Sequence, residues 1–166
     1  AVITCAVDPT AKQNPEEYEW FQSENIPVYD TLEEMYEKHD KKVELVIIAS
    51  PTQFHKQQST VALQNGSHVL CEKPLVPIAQ EASELLAVEE NADGFELGVG
   101  FQWSFSKTMN ALKKDILDGK YGKPVMAKTF ISWPRAHSYY DTSTWKGRIL
   151  GDQGQPILDS ILANAT

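Results

Sequence analysis

Apolar residues fall along this chain in short unbroken runs, separated by longer stretches of mixed character. Residues 1–7 (AVITCAV) form one such run, closed by Asp8-Pro9. That is the pattern of a strand buried on both faces of a parallel sheet. Asn14-Pro15-Glu16-Glu17 supplies a cap, a proline at the first helical position and a reciprocal acid, and predicts a helix to about residue 25. A short strand over 26–29 and a helix capped by Asp30-Thr31, ending near 39, come next. Residues 43–49 (VELVIIA) give the clearest buried strand, running into Ser50-Pro51-Thr52. The helix that follows, from about 53, stops at Asn65-Gly66, where glycine can take the left-handed conformation. A strand over 68–71 leads into Glu72-Lys73-Pro74, a long helix spans 77–91, and a further strand spans 95–101.

Strands alternating with helices at this spacing predict a parallel sheet covered on both faces, with right-handed crossovers. Such sheets bind ligands at the carboxyl ends of their strands. Asp8, Ser50-Pro51-Thr52 and Glu72-Lys73-Pro74 each follow a strand directly. After Phe101 the pattern changes. Residues 106–118 read as a helix stopped by Gly119, and 125–133 as a strand with partial alternation. A polar and aromatic loop over 134–155 and a short apolar run over 157–163 follow. The predicted division is a first α/β domain over 1–102 and a second, incomplete one over 103–166. One helix and one strand cannot bury a sheet face alone.

Composition narrows the partners. With 42% hydrophobic residues in a chain of 166, a packed core is expected. The formal charge of -8 argues against nucleic-acid or anionic-membrane binding, which needs basic surface. No run approaches the ~20 apolar residues of a membrane-spanning helix. Cys5 and Cys71 lie in apolar runs and read as buried thiols of a reducing, cytoplasmic compartment. A leader removed ahead of Ala1 is compatible with the same sequence. No cysteine or histidine spacing points to a metal.

Several residues are candidates for chemistry. In a dinucleotide fold, a carboxylate at the position of Asp8 accepts the adenosine ribose hydroxyls and repels a 2′-phosphate; the plainer alternative is a turn residue before Pro9. A glycine-rich phosphate turn, about 20 residues earlier in such folds, would precede Ala1. Ser50-Pro51-Thr52 allows backbone to lie close to a ligand, or is an ordinary turn. His55, early in the next helix, reads as a solvated or capping residue rather than a catalytic one. Lys73 is held by stiff backbone between Glu72 and Pro74, and can exchange a proton with a substrate hydroxyl or carbonyl. The alternative is a surface lysine beside an acid. Trp133, Arg135, His137, Tyr139, Tyr140, Trp145, Lys146 and Arg148 crowd one loop. Rings that cover apolar faces and donors that read hydroxyls suit a sugar or polyol, although packing against the domain or a neighbouring subunit would use the same residues.

Three pieces together resemble one family. Ala49-Ser50-Pro51-Thr52-Gln53-Phe54-His55, Ala62-Leu63-Gln64-Asn65-Gly66 and His68-Val69-Leu70-Cys71-Glu72-Lys73-Pro74-Leu75 are similar, in order and spacing, to the hallmark stretch of the Gfo/Idh/MocA oxidoreductases (glucose–fructose oxidoreductase and inositol 2-dehydrogenase). Val99-Gly100-Phe101 is similar to that family's entry into its second domain. Gly119-Lys120-Tyr121-Gly122-Lys123-Pro124 is similar to the turn before its first long strand.

The resemblance implies a Rossmann domain, here without its first strand and glycine-rich loop, followed by an α/β domain with an open, mostly antiparallel sheet. It implies a piece of a longer chain, expected to be inactive by itself. Lys73 would be the active-site lysine. Asp8 would bind adenosine ribose, favouring NAD over NADP, with Ser50, Pro51, Thr52, His55 and Glu72 along the cofactor. Many members carry a D-x-G-x-H segment facing the substrate. Asp159 fits its aspartate, but the histidine position falls on Ala163, with Asn164 beside it. His137 is the one loop histidine that could stand in. The expected activity is hydride transfer between NAD and a hydroxyl carbon of a sugar, cyclitol or polyol, with Lys73 and Asp159 catalytic. Trp133, Arg135, His137, Tyr140, Trp145, Arg148 and Asn164 would bind the substrate. A homo-oligomer through the second-domain sheet is expected. The departure at Ala163 leaves open a catalytically silent dinucleotide-binding sensor or scaffold.

Overall fold

A computed structural model of the chain describes residues 2–128, 130, 132, 134–141, 146–151 and 154–157. The candidates Trp133, Trp145, Asp159 and Asn164 lie outside these described residues, as does Ala163. The elements are β1 (Ala6–Val7), α1 (Pro15–Ser23), β2 (Val28–Tyr29), α2 (Leu32–Lys38), β3 (Leu45–Ile48), α3 (His55–Gln64), β4 (His68–Cys71), α4 (Ala79–Glu90), β5 (Leu97–Val99), α5 (Lys107–Leu117) and α6 (His137–Asp141). Single helical turns sit at Ala11–Gln13, Thr52–Phe54 and Gln102–Phe105.

Every ladder between these strands is parallel. The described strands form two sheets: β1 pairs with β2, and β4 lies between β3 and β5. The register sets Ile48 opposite Cys71 and Cys71 opposite Val99. Alternation decides which way each strand faces. Ile48, Val69 and Cys71 point to one side and meet Ala62 and Leu63 of α3 and Leu85 of α4 in a single buried cluster. Leu45, Ile47 and Leu70 point to the other side, where Ile47 is 67% exposed. Among the described residues, α3 and α4 cover the first of these faces. α2 is tied to the entry of β4, because the Tyr36 hydroxyl donates to Ser67 Oγ (2.7 Å) and Ser67 Oγ to the Val43 carbonyl (2.6 Å).

Helix ends show which local signals hold. Thr31 Oγ1 accepts the Glu34 amide at 3.1 Å, and the Glu34 carboxylate reaches back to the Asp30 amide at 2.9 Å. Ser106 Oγ caps α5 through the Met109 amide at 3.2 Å. Gly66 ends α3 at φ 78°. The predicted box at Asn14 does not form: helix α1 starts on Pro15, but the Asn14 side chain makes no capping hydrogen bond.

Most of the strands are shorter than predicted, and one does not form among its described residues. Only Ala6–Val7 of the first run pairs, and Val2 and Ile3 are exposed, because β2 offers two residues of ladder and no more. The strand predicted over 125–133 does not form among its described residues, where Val125 is 96% exposed. A strand needs a partner edge and a surface to lie on, and neither is present there among the described residues.

The core generates two expectations. Leu85 is wholly buried, and Leu85→Ala should destabilise the protein by about 2–5 kcal/mol in a denaturant titration. Burial pushes the Cys71 thiol from 9.0 up to about 11. Below pH 9 the thiol is mostly neutral whether folded or not, and between 9 and about 11 the unfolded chain ionises first, so the contribution is present below pH 9 and is lost as pH rises towards 11. Stability measured across that window should fall, and Cys71→Ala should flatten the fall.

Candidate functional site

The loops that leave the carboxyl ends of β3 and β4 hold most of the candidates. The ladder continues one step past β4, where the Glu72 amide donates to the Ile48 carbonyl at 2.8 Å. On the other side the Gly100 amide donates to the Cys71 carbonyl at 2.8 Å. Lys73 is the first residue beyond these bonds, and the Lys73–Pro74 peptide is cis. The Glu72 carboxylate accepts the Lys73 amide through Oε2 at 3.1 Å. Lys73 is half-buried, and its ammonium has no hydrogen bond or ion pair among the described residues.

Ser50 opens the turn after β3. Its hydroxyl donates to Gln58 Oε1 at 2.5 Å, one turn into α3. Thr52 is buried and starts the single helical turn that leads into α3. Gln53, in the same turn, has its side-chain oxygen shielded from water without a hydrogen-bond donor among the described residues.

His55 corrects the expectation of a solvated or capping residue. It is 1% exposed. Its Nδ1 lies 2.9 Å from the Pro74 carbonyl and 3.2 Å from that of Leu75, and its Nε2 lies 2.8 Å from the Ser50 carbonyl. Both ring nitrogens thus face the main chain. The first residue of a helix escapes the period-based argument, because its surroundings are set by a loop nineteen residues away.

Asp8 follows β1, its amide bonded to the Tyr29 carbonyl at 2.9 Å. Asp8 Oδ1 accepts both the Thr10 amide (2.7 Å) and the Thr10 hydroxyl (2.8 Å). The second carboxylate oxygen has no partner among the described residues. Thr10 and Gln58 were not singled out in the sequence: a polar residue two or eight positions from a candidate carries no periodic signal.

These residues suit a dinucleotide. Asp8 keeps one acceptor oxygen available, Gln53 holds a shielded acceptor in want of a donor, and Lys73 carries an ammonium at a strand end. The described residues of the loop over 134–148 form a cluster of their own. The Arg135 guanidinium and the Lys146 ammonium lie 4.8 and 4.5 Å from the centre of the Tyr139 ring. Tyr140 packs edge-on to Tyr139. Exposed His137 begins α6, and exposed Arg148 lies near the Leu150–Pro156 bridge.

Parallel strands joined by helices, opening at their carboxyl ends onto polar turns, make this a nucleotide-binding type of α/β domain. Comparison with known proteins narrows the class. The profile of the Gfo/Idh/MocA group, an oxidoreductase family with an NAD-binding Rossmann fold, matches residues 1–101. The chain belongs to that family.

It is 33% identical over 101 residues to an inositol 2-dehydrogenase of Corynebacterium glutamicum (strain R), covering 61% of this chain and 30% of the relative. It is 31% identical over 91 residues to a 1,5-anhydro-D-fructose reductase of Ensifer adhaerens, covering 55% and 27%. The chain thus spans less than a third of the length of these curated relatives. A Lactobacillus casei scyllo-inositol dehydrogenase, solved with NAD(H) and scyllo-inositol, aligns with a TM-score of 0.60 at 26% identity, over 72% of this chain and 34% of that one. The WlbA dehydrogenase of Bordetella pertussis, solved with NADH and UDP-GlcNAcA, shares the fold with a TM-score of 0.73 at 23% identity, over 87% and 40%.

Proposed function

We propose that the full-length protein carrying this sequence transfers hydride reversibly between NAD and a hydroxyl-bearing carbon of a sugar, cyclitol or related polyol. The observation that carries this reading is Lys73: a lysine anchored by the ladder at the carboxyl end of the middle strand, its ammonium unpaired among the described residues. Similarity to the inositol 2-dehydrogenase and the anhydrofructose reductase supports the substrate class.

Bound NAD supplies the hydride acceptor. Asp8 would accept the adenosine ribose hydroxyls through its uncommitted oxygen, and its charge would repel the 2′-phosphate of NADP. Ser50, Pro51, Thr52 and Glu72 would line the nicotinamide side. Lys73, as the neutral amine, would accept the hydroxyl proton as the carbon is oxidised, and as the resulting ammonium would return it in the reverse direction. Residues 103–166 would begin the substrate domain. There Arg135, His137, Tyr140 and Arg148, with Trp133, Trp145 and Asn164, would read the hydroxyls and cover apolar sugar faces. Asp159 would hold the lysine or a substrate hydroxyl. A homo-oligomer through the second-domain sheet and a cytoplasmic location belong to the same reading.

Lys73→Ala in the full-length protein should lower kcat by about 10²–10⁴-fold and leave NAD binding nearly unchanged. Reduced-nicotinamide absorbance over a polyol panel reads the first, and a fluorescence titration reads the second. Unchanged turnover by the variant would refute the role of Lys73. Wild-type protein that binds NAD but oxidises no polyol would favour a silent sensor instead. Asp8→Ala should move the NAD-over-NADP preference by roughly tenfold or more, the size of one lost charge-assisted hydrogen bond, in steady-state kinetics with both cofactors.

A further inference from the structure

Among the described residues, the His55 side chain joins the loops that carry Ser50 and Lys73. Main-chain pairing between them ends where the Glu72 amide meets the Ile48 carbonyl. Beyond that bond, the His55 ring is the connection: Nε2 on the carbonyl of Ser50, Nδ1 on the carbonyl of Pro74. Ser50 opens the turn read as cofactor-lining, and Pro74 follows Lys73 directly. An imidazole is rigid, so its width fixes the separation of the two carbonyls. Both partners are carbonyl oxygens, which only accept, so both ties hold at once only when each ring nitrogen carries a proton. A phenyl ring would fill the same space but would offer neither carbonyl a donor.

We propose that His55 is a positioning residue for the hydride-transfer site, holding the Ser50-Pro51-Thr52 turn at a set distance from Lys73. This inference rests on the function proposed above. His55 does not touch the reacting atoms, because its ring is buried and its nitrogens face main-chain carbonyls. It acts by fixing where the lysine stands relative to the cofactor turn. Proton transfer is sensitive to that separation, and a misplacement of about 1 Å can cost about 10²-fold in rate.

The two arms of the clamp are separable. An asparagine amide nitrogen occupies about the place of Nδ1, and a glutamine amide nitrogen about that of Nε2. His55→Asn therefore keeps the tie to Pro74 and gives up the tie to Ser50, and His55→Gln does the reverse. In the full-length protein, His55→Asn should hold kcat within about threefold and raise the KM for NAD about tenfold, and His55→Gln should hold that KM and lower kcat by about 10–10²-fold. Thermal melting is recorded beside the kinetics.

A histidine that merely fills the core would give losses of Tm in both variants with kcat and KM unmoved, or moved together; either result overturns the proposal. Long-range ¹⁵N NMR of the wild-type protein keeps the test open if the variants do not fold. The shielded ring N–H of His55 should exchange slowly with solvent, and fast exchange would show that the clamp is not closed. Wild-type protein without NAD-dependent turnover on any polyol would overturn the proposed function and this inference with it. Wild-type turnover with unsplit variants would overturn the inference alone.

Discussion

The parallel pairing of β3 with β4 is the constraint from which the rest of the described structure follows. β4 is the middle strand of its sheet, bonded on both edges. Its inward residues, Val69 and Cys71, seat α3 and α4. The same pairing decides where the chemistry can stand. The bond from Glu72 to Ile48 and the bond from Gly100 to Cys71 flank the chain immediately before Lys73. The backbone of that lysine is therefore fixed from both sides, and only its side chain remains to move. A loop lysine farther from the ladder would pay more conformational entropy to reach one geometry.

What was legible in the sequence is what a single element can specify. The run HVLC reads as a strand and is one, with the predicted ends. Asn65-Gly66 and Ser106 mark helix ends because glycine's left-handed conformation and a hydroxyl's reach are local properties. What was not legible depends on partners. Asn14 and Thr31 carry similar capping signals, yet only Thr31 caps its helix. Residues 125–133 have the alternation of a half-buried strand, but alternation records a face, not what covers it. The site divides in the same way. The places of Lys73 and Ser50 at strand ends were legible because each follows a strand. His55 was misread as solvated because its burial is decided by Pro74 and Leu75, on a different loop.

Two sets of exposed apolar residues follow one rule. Ile47, Leu45 and Leu70 share the sheet face turned away from α3 and α4, and Met109, Leu112 and Ile116 line one side of α5 at helical spacing. Each set is the inward half of an amphipathic pattern. Residues of the α3–α4 side with the same composition are buried, so composition does not separate them. The presence of a covering element does.

The last question is why Lys73, with an acid as its neighbour, does not form a local ion pair. The Glu72 carboxylate is turned back onto the main chain, accepting the Lys73 amide through Oε2. Its other oxygen lies over Gly100, 3.5 Å from where a β-carbon would be. The geometry thus separates the two roles that the sequence offered as alternatives for this lysine. Glu72 stiffens the loop. Lys73 keeps its ammonium without an ion-pair partner among the described residues at the strand end.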